Sequence, residues 1–170
     1  MRIREQKLNF RKNYKSGALL ELEKLANAED RRKHPNVDVK YLAPLIYYDH
    51  DTNSLTKAVL AWLKLNNHHA ERINTTGRPI DNRKVFMDVL GNQRTIGSVT
   101  WIPTSGQKGS ADISAIINGK PCRIEIKFGA DRQSKAQQEY QAQVEASGGT
   151  YLIVRSFQGF YDWYMEHCIE

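Results

Sequence analysis

At 170 residues, 40% of them hydrophobic, the chain is long enough for one domain with a self-sufficient core. No run approaches the ~18 consecutive apolar residues of a membrane span, and the net charge of +6 favours a polyanionic partner. The two cysteines, Cys122 and Cys168, show neither zinc nor disulfide-framework spacing, and no apolar stretch follows the basic start Met1-Arg2-Ile3-Arg4, so a reducing, cytoplasmic location is expected.

Residues 1–15 are polar and basic, with Phe10 and Tyr14 interleaved, and read as an arm. Ser16 can cap a helix through Ala28, with Leu19, Leu22, Leu25 and Ala26 on one stripe. The run Asp30-Arg31-Arg32-Lys33-His34-Pro35-Asn36 is expected to break it, and residues 37–48 carry no assignable period. Residues 1–50 are therefore read as a basic N-terminal extension and 51–170 as the main domain. Leu55, Val59, Trp62 and Leu63 recur at helical spacing, which predicts an amphipathic helix over 54–66. Residues 70–75 read as a strand leading into Gly77. The segment 77–108 is rich in Gly, Thr, Arg and Asn and has β character only around 95–102. A connection this long without helices is often functional.

The last third is the most explicit. Residues 112–117 and 122–128 are β-type runs around Asn118-Gly119, a strong hairpin signal. Ser134 starts a helix through Ser147, with Gln137 at capping-box spacing and Gly148-Gly149 as its stop. Residues 150–154 read as a buried strand and 157–165 as a closing helix, whose aromatic cluster reads as core or subunit interface. The order of elements indicates a mixed α/β sheet flanked by helices.

Side chains alternate along a strand, so Arg123, Glu125 and Lys127 share one face of the second β-run, while Cys122, Ile124, Ile126 and Phe128 share the other. A two-residue turn at Asn118-Gly119 pairs Ile117 with Lys120. The same register sets Asp112 opposite Glu125, with Cβ atoms ~4.5–5.5 Å apart. Facing carboxylates repel, and a divalent cation relieves the repulsion; oxygen ligands of this kind suit Mg2+ or Mn2+. Lys127 places an ammonium beside the pair. Such a set can polarise a phosphate and stabilise charge in a transition state. The competing reading is a solvated hairpin face with scattered charges.

The ordered motifs Gly109-Ser110-Ala111-Asp112, Ile124-Glu125-Ile126-Lys127, Ser134-Lys135-Ala136-Gln137 and Gly148-Gly149-Thr150-Tyr151-Leu152-Ile153-Val154 resemble the VRR-NUC branch of the PD-(D/E)xK nucleases, in particular stand-alone proteins of phages and prophages. The upstream Arg72-Ile73-Asn74-Thr75-Thr76-Gly77 is similar to the Arg-x-Asn-(Ser/Thr)-Gly strand of that family. The resemblance covers roughly residues 54–156. It implies a restriction-endonuclease-like α/β core, with a metal site of Asp112, Glu125 and the Ile126 carbonyl holding Mg2+ or Mn2+. Lys127 and Gln137 would complete the catalytic set. Two departures stand out: Ala111 occupies the place of the family's Pro, and Asn53-Ser54-Leu55 lacks the family's early helical Glu, for which Asp51 or Glu71 could substitute.

The expected reaction is hydrolysis of DNA phosphodiesters, on junctions or flaps, in phage-type replication, recombination or repair within a bacterial host cell, by a possible homodimer without membrane attachment. The alternatives are a catalytically silent DNA-binding protein of the same fold and an RNA-directed nuclease. Charge is distributed as such an enzyme requires. Residues 1–40 carry 11 Lys+Arg against 6 Asp+Glu, residues 77–108 carry 5 against 2, and residues 109–170 carry 6 against 8. Arg72, Asn74, Arg78, Arg83, Lys84, Arg94, Lys108, Lys120 and Arg132 are the candidate nucleic-acid contacts, with 77–108 as a flap over the site. His68-His69 reads as surface rather than as a metal ligand pair.

Overall fold

A computed structural model of the chain describes residues 15–74, 77–102 and 106–169. Most of the basic arm at 1–15 therefore lies outside the described residues. Helix α1, Gly17–Lys33, is capped by the Ser16 side chain, which accepts from the Leu19 amide. It runs through Arg31, Arg32 and Lys33, where a break was expected. Cations suit the negative end of the helix dipole, and Arg32 and Lys33 also pair with Glu29, at 2.6 and 3.5 Å. The stop comes at His34-Pro35, since the residue before a proline is pushed out of helical geometry. A short 3-10 turn at Val39–Tyr41 follows, which the sequence pattern did not reveal.

Helix α2, Thr52–Leu65, is capped by Asp51 and buries Leu55, Ala58, Val59, Trp62 and Leu63. The chain then forms β1, His69–Arg72, shorter than the strand expected over 70–75. Strands β6, Ile113–Ile117, and β7, Lys120–Ile126, make the predicted hairpin. Asn118 and Gly119 have φ of 48° and 76°. Positive φ at both turn positions is the type I′ geometry that Asn-Gly favours, and it gives the expected pairing of Ile117 with Lys120. Helix α3, Lys135–Ala146, crosses to β8, Thr150–Val154, which runs parallel to β7; helix α4, Phe157–His167, closes the chain.

These strands form one mixed sheet in the order β1-β6-β7-β8. One face carries Ala70, Ile113, Ala115, Ile117, Cys122, Ile124, Ile126 and Val154, and on it pack α2 and α4. α1, although it belongs to the stretch read as an extension, sends Leu19 and Leu22 into the same core. Phe157, Phe160 and Tyr164 of α4 gather around Trp62, so the C-terminal aromatic cluster is core. The opposite face carries Arg123, Glu125 and Tyr151 and is covered by α3, which buries none of its own residues and presents a polar flank. Phe128, assigned by alternation to the core face, lies past the end of β7 and is exposed.

The segment between β1 and β6 contains four short strands instead of one β region. β2, Arg78–Asp81, pairs with β5, Val99–Ile102; nested between them, β3, Lys84–Met87, pairs with β4, Gln93–Ile96. Neither ladder joins the main sheet. Val85, Phe86, Met87, Val89, Leu90 and Trp101 are all exposed there. Among the described residues, no helix is long and apolar enough to cross a membrane.

Candidate active site

The face of β7 beneath α3 gathers the residues that the hairpin register singled out. Asp112 stands one residue before β6, and its backbone carbonyl accepts from Ile73 N–H at 2.7 Å, which ties it to the β1 side of the sheet. Its Oδ2 accepts from the Ile126 amide at 2.9 Å. The carboxylate is thereby turned across the hairpin toward β7, where the register carried one pair beyond Ile113↔Ile124 places Glu125.

Glu125 is 2% exposed and Lys127 5% exposed. Full burial of both is the main departure from a solvated hairpin face, where such side chains would be wet. Lys127 Nζ lies 3.0 Å from Glu125 Oε1 and 3.3 Å from Asp131 Oδ2, and it donates to Gln137 Oε1 at 3.1 Å. Gln137 Nε2 donates in turn to Glu125 Oε1. The Gln137 carbonyl also accepts from Ser134 N–H at 2.9 Å, while Ser134 caps the helix through Gln137 N–H. One side chain thus closes the capping box of α3 and clamps Glu125 to Lys127. The first turn of α3 and the end of β7 are locked together by the site itself.

The electrostatics are asymmetric. Burial pushes the Glu125 carboxyl above its usual range, Lys127 pulls it back, and the charge of Asp112 raises it further. Burial alone would lower the Lys127 ammonium, but Glu125 and Asp131 more than offset it, so the lysine is held protonated. Glu125 Oε1 is saturated, whereas Glu125 Oε2 is buried with no hydrogen-bond partner. An anionic oxygen left so is costly in a dry interior. The donor chemistry fits a hard divalent cation: two carboxylates, one with an unused buried oxygen, on facing strands.

The structure brings together Asp112, Glu125, Lys127 and Gln137. Ile126 contributes its amide to Asp112, while its side chain is in the core. No third carboxylate is placed to share an ion with Asp112 and Glu125: among the described residues, no group of three His, Cys, Asp or Glu side chains could do so. Asp51 is occupied as the cap of α2, accepting from Ser54 N and Oγ at 2.9 and 2.6 Å. Glu71 is exposed on β1, in the row of Ser114 and Arg123. Gln141, one turn beyond Gln137, bonds Gln133 and Glu145 instead of the site. His68 bonds the Tyr164 hydroxyl at 2.8 Å, a structural role.

Two residues of the site went unread in the sequence. Asp131 follows the strand end and reaches back to Lys127 over four residues, a local spacing that could have been noticed. Tyr151 sits in a run legible only as buried strand, on the same face as Glu125; burial and the charge of Glu125 push its hydroxyl up to about 12. The proposed nucleic-acid contacts scatter around this centre. Arg72 donates to Asn53 at 2.9 Å. Arg83 and Arg94 are held by Asp81 and Asp88, at 2.7 and 2.8 Å, while Asn74, Arg78, Lys84, Lys108, Lys120 and Arg132 are exposed. A cleft of about 670 Å3 between α1 and α2, lined by Leu45, Tyr47, Lys57 and Lys64, lies apart from these groups. No family model matches the chain, and no curated protein is similar enough to count as a relative.

Proposed function

We propose that the chain is a metal-dependent nuclease of the PD-(D/E)xK type, related to the VRR-NUC branch, which hydrolyses phosphodiester bonds of DNA in junctions or flaps. The observation that carries this reading is the buried Glu125–Lys127 pair beside Asp112, with Glu125 Oε2 left without a partner. A fold gains little from a buried ion pair, since desolvation consumes most of the attraction. A fold that kept the pair, and set a second carboxylate against it, supports a chemical use.

Asp112 and Glu125 would hold Mg2+ or Mn2+, with the Ile126 carbonyl as a further oxygen of the restriction-endonuclease-like core. When bound, the ion supplies Lewis-acid polarisation of the phosphate and a water of lowered pKa. Lys127 keeps a proton at Nζ and presents a fixed positive charge where negative charge grows on the phosphorus oxygens. Gln137 holds both Lys127 and Glu125, so that neither side chain must reorganise when substrate arrives. The β2–β5 and β3–β4 ladders and the basic residues around them would contact the DNA backbone, and a homodimer would present one site to each strand.

The lack of a third carboxylate ligand among the described residues favours a second reading, a DNA-binding protein of this fold without catalysis. Cleavage assays on linear, flapped and four-way DNA, with an RNA counterpart, in Mg2+, Mn2+ or EDTA separate the two. Cleavage that needs the ion is expected, with Lys127→Ala slowing it by orders of magnitude while DNA affinity is retained. Binding without cleavage in either ion would leave only the second reading.

A further inference from the structure

Glu125 Oε2 is not the only unsatisfied atom at the site. The Tyr151 hydroxyl is also buried without a hydrogen-bond partner, on a residue only 9% exposed. In the β7–β8 register Tyr151 is the neighbour of Arg123, two residues along from the Glu125 row, so its ring lies on the same face of the sheet as the site. Burial and the charges of Glu125 and Asp112 raise the pKa of this hydroxyl, so it keeps its proton as a hydrogen-bond donor. The ring is held edge-on by Tyr140 of α3, with centroids 6.3 Å apart. Two buried polar atoms of opposite capability, an acceptor and a donor, therefore lie on one face without a well-formed hydrogen bond, the side chains of Glu125 and Gln133 being the neighbours of the hydroxyl.

A single cation can account for both. With Asp112 and Glu125 as its carboxylate ligands and no third among the described residues, Mg2+ or Mn2+ would keep much of its hydration, and those waters would need partners in the walls around it. Lys127, Gln137 and Glu125 Oε1 are already bonded to one another. Among the described residues, the Tyr151 hydroxyl is a buried donor on this face without a well-formed hydrogen bond. We propose that Tyr151 is a positioning residue of the cation site, its hydroxyl supplying the hydrogen bond required by the hydration shell of an ion on Asp112 and Glu125. This inference rests on the metal-dependent reading above.

The test uses the full chain without DNA. Mn2+ binding is measured by calorimetry and by electron paramagnetic resonance for the wild type, Tyr151→Phe and Asp112→Asn, alongside melting curves in EDTA and in Mn2+. Tyr151→Phe keeps the ring and its contact with Tyr140, so it should melt in EDTA no lower than the wild type. It should bind Mn2+ about tenfold or more weakly and gain less in Tm when the ion is added. Asp112→Asn should not bind measurably. Equal Mn2+ affinity in wild type and Tyr151→Phe, with binding lost in Asp112→Asn, would overturn the role of Tyr151 and leave the metal site standing. A Tyr151→Phe chain that loses as much Tm in EDTA as in Mn2+ would mark the hydroxyl as structural, which also overturns it. A wild type that does not bind Mn2+, or an Asp112→Asn variant that binds it equally well, would overturn the metal-dependent reading itself.

Discussion

Glu125 is where the chemistry of the site can be read through stability. Its pKa is raised by burial and by Asp112, so the folded state binds the proton more tightly than the unfolded chain does. The stability linked to it is therefore fully present below the ordinary carboxylate value near 4.5 and is lost as pH rises through the folded value. Exposed carboxylates such as Glu29, held down at about 2 by Arg32, act in the opposite sense, but solvent screens them. The difference between wild type and Glu125→Gln cancels their effect. In EDTA the wild type should lose Tm relative to Glu125→Gln as pH climbs above the ordinary carboxylate value near 4.5. An Mg2+ ion on the proposed site would bind the ionised form, so its stabilising effect on the wild type should grow over the same window. Parallel melting profiles for the two proteins in EDTA would mean that the carboxylate does not sense its burial.

Among the elements, the junction of α3 with the loop before β6 holds the site in shape. Gly109 has φ of +84°, and a Cβ added there would lie 2.3 Å from the Ala136 carbonyl oxygen in the first turn of α3. That turn carries Gln137, the clamp on Glu125 and Lys127. Gly109→Ala must strain the left-handed backbone, at a cost of about 1–3 kcal/mol, and push the helix start away. A lowered Tm together with a cleavage rate reduced more than in a Gly91→Ala control is expected. Gly91 also has positive φ, 79°, but nothing lies within reach of its Cβ. Equal effects of the two substitutions would mean that backbone strain alone is being measured. The same elements explain what the sequence could disclose. Asn118-Gly119 sets a register by local turn chemistry, and Ser134 with Gln137 sets a helix start, so the central pair and its clamp were legible. The ladders at 78–102 were not, because four-residue strands interrupted by Pro79, Gly91 and Gly97 carry no period long enough to recognise. Tyr151 was hidden for another reason. Its strand buries Tyr151 on one face and Val154 on the other, so alternation cannot tell a side chain that fills the core from one on the face of the site.

Across the whole molecule the question is which surface charges remain available to a polyanion. Composition alone gives residues 77–108 a surplus of cations, but Arg83 and Arg94 are tied to Asp81 and Asp88 within hydrogen-bond distance. Their fields are largely cancelled where they stand. Lys84 on β3 and Lys108, four residues before Asp112, are exposed and form no ion pair among the described residues. They flank the ladder segment at its middle and at its return to the site, which suits contacts along one backbone. Each phosphate contact contributes about 0.9 to the slope of log K against log salt for duplex DNA, so Lys84→Gln with Lys108→Gln should flatten that slope by about 1.8. Arg83→Gln with Arg94→Gln removes two charges of the same sign but unmasks two aspartates; it should weaken binding while changing the slope less. Neither pair touches the buried site, so cleavage of bound DNA should proceed at the wild-type rate in single turnover. Fluorescence anisotropy across a salt titration reads both slopes. A flattening confined to the arginine pair would mean that the ion pairs on the ladders open on binding and that the arginines, not the lysines, meet the phosphates.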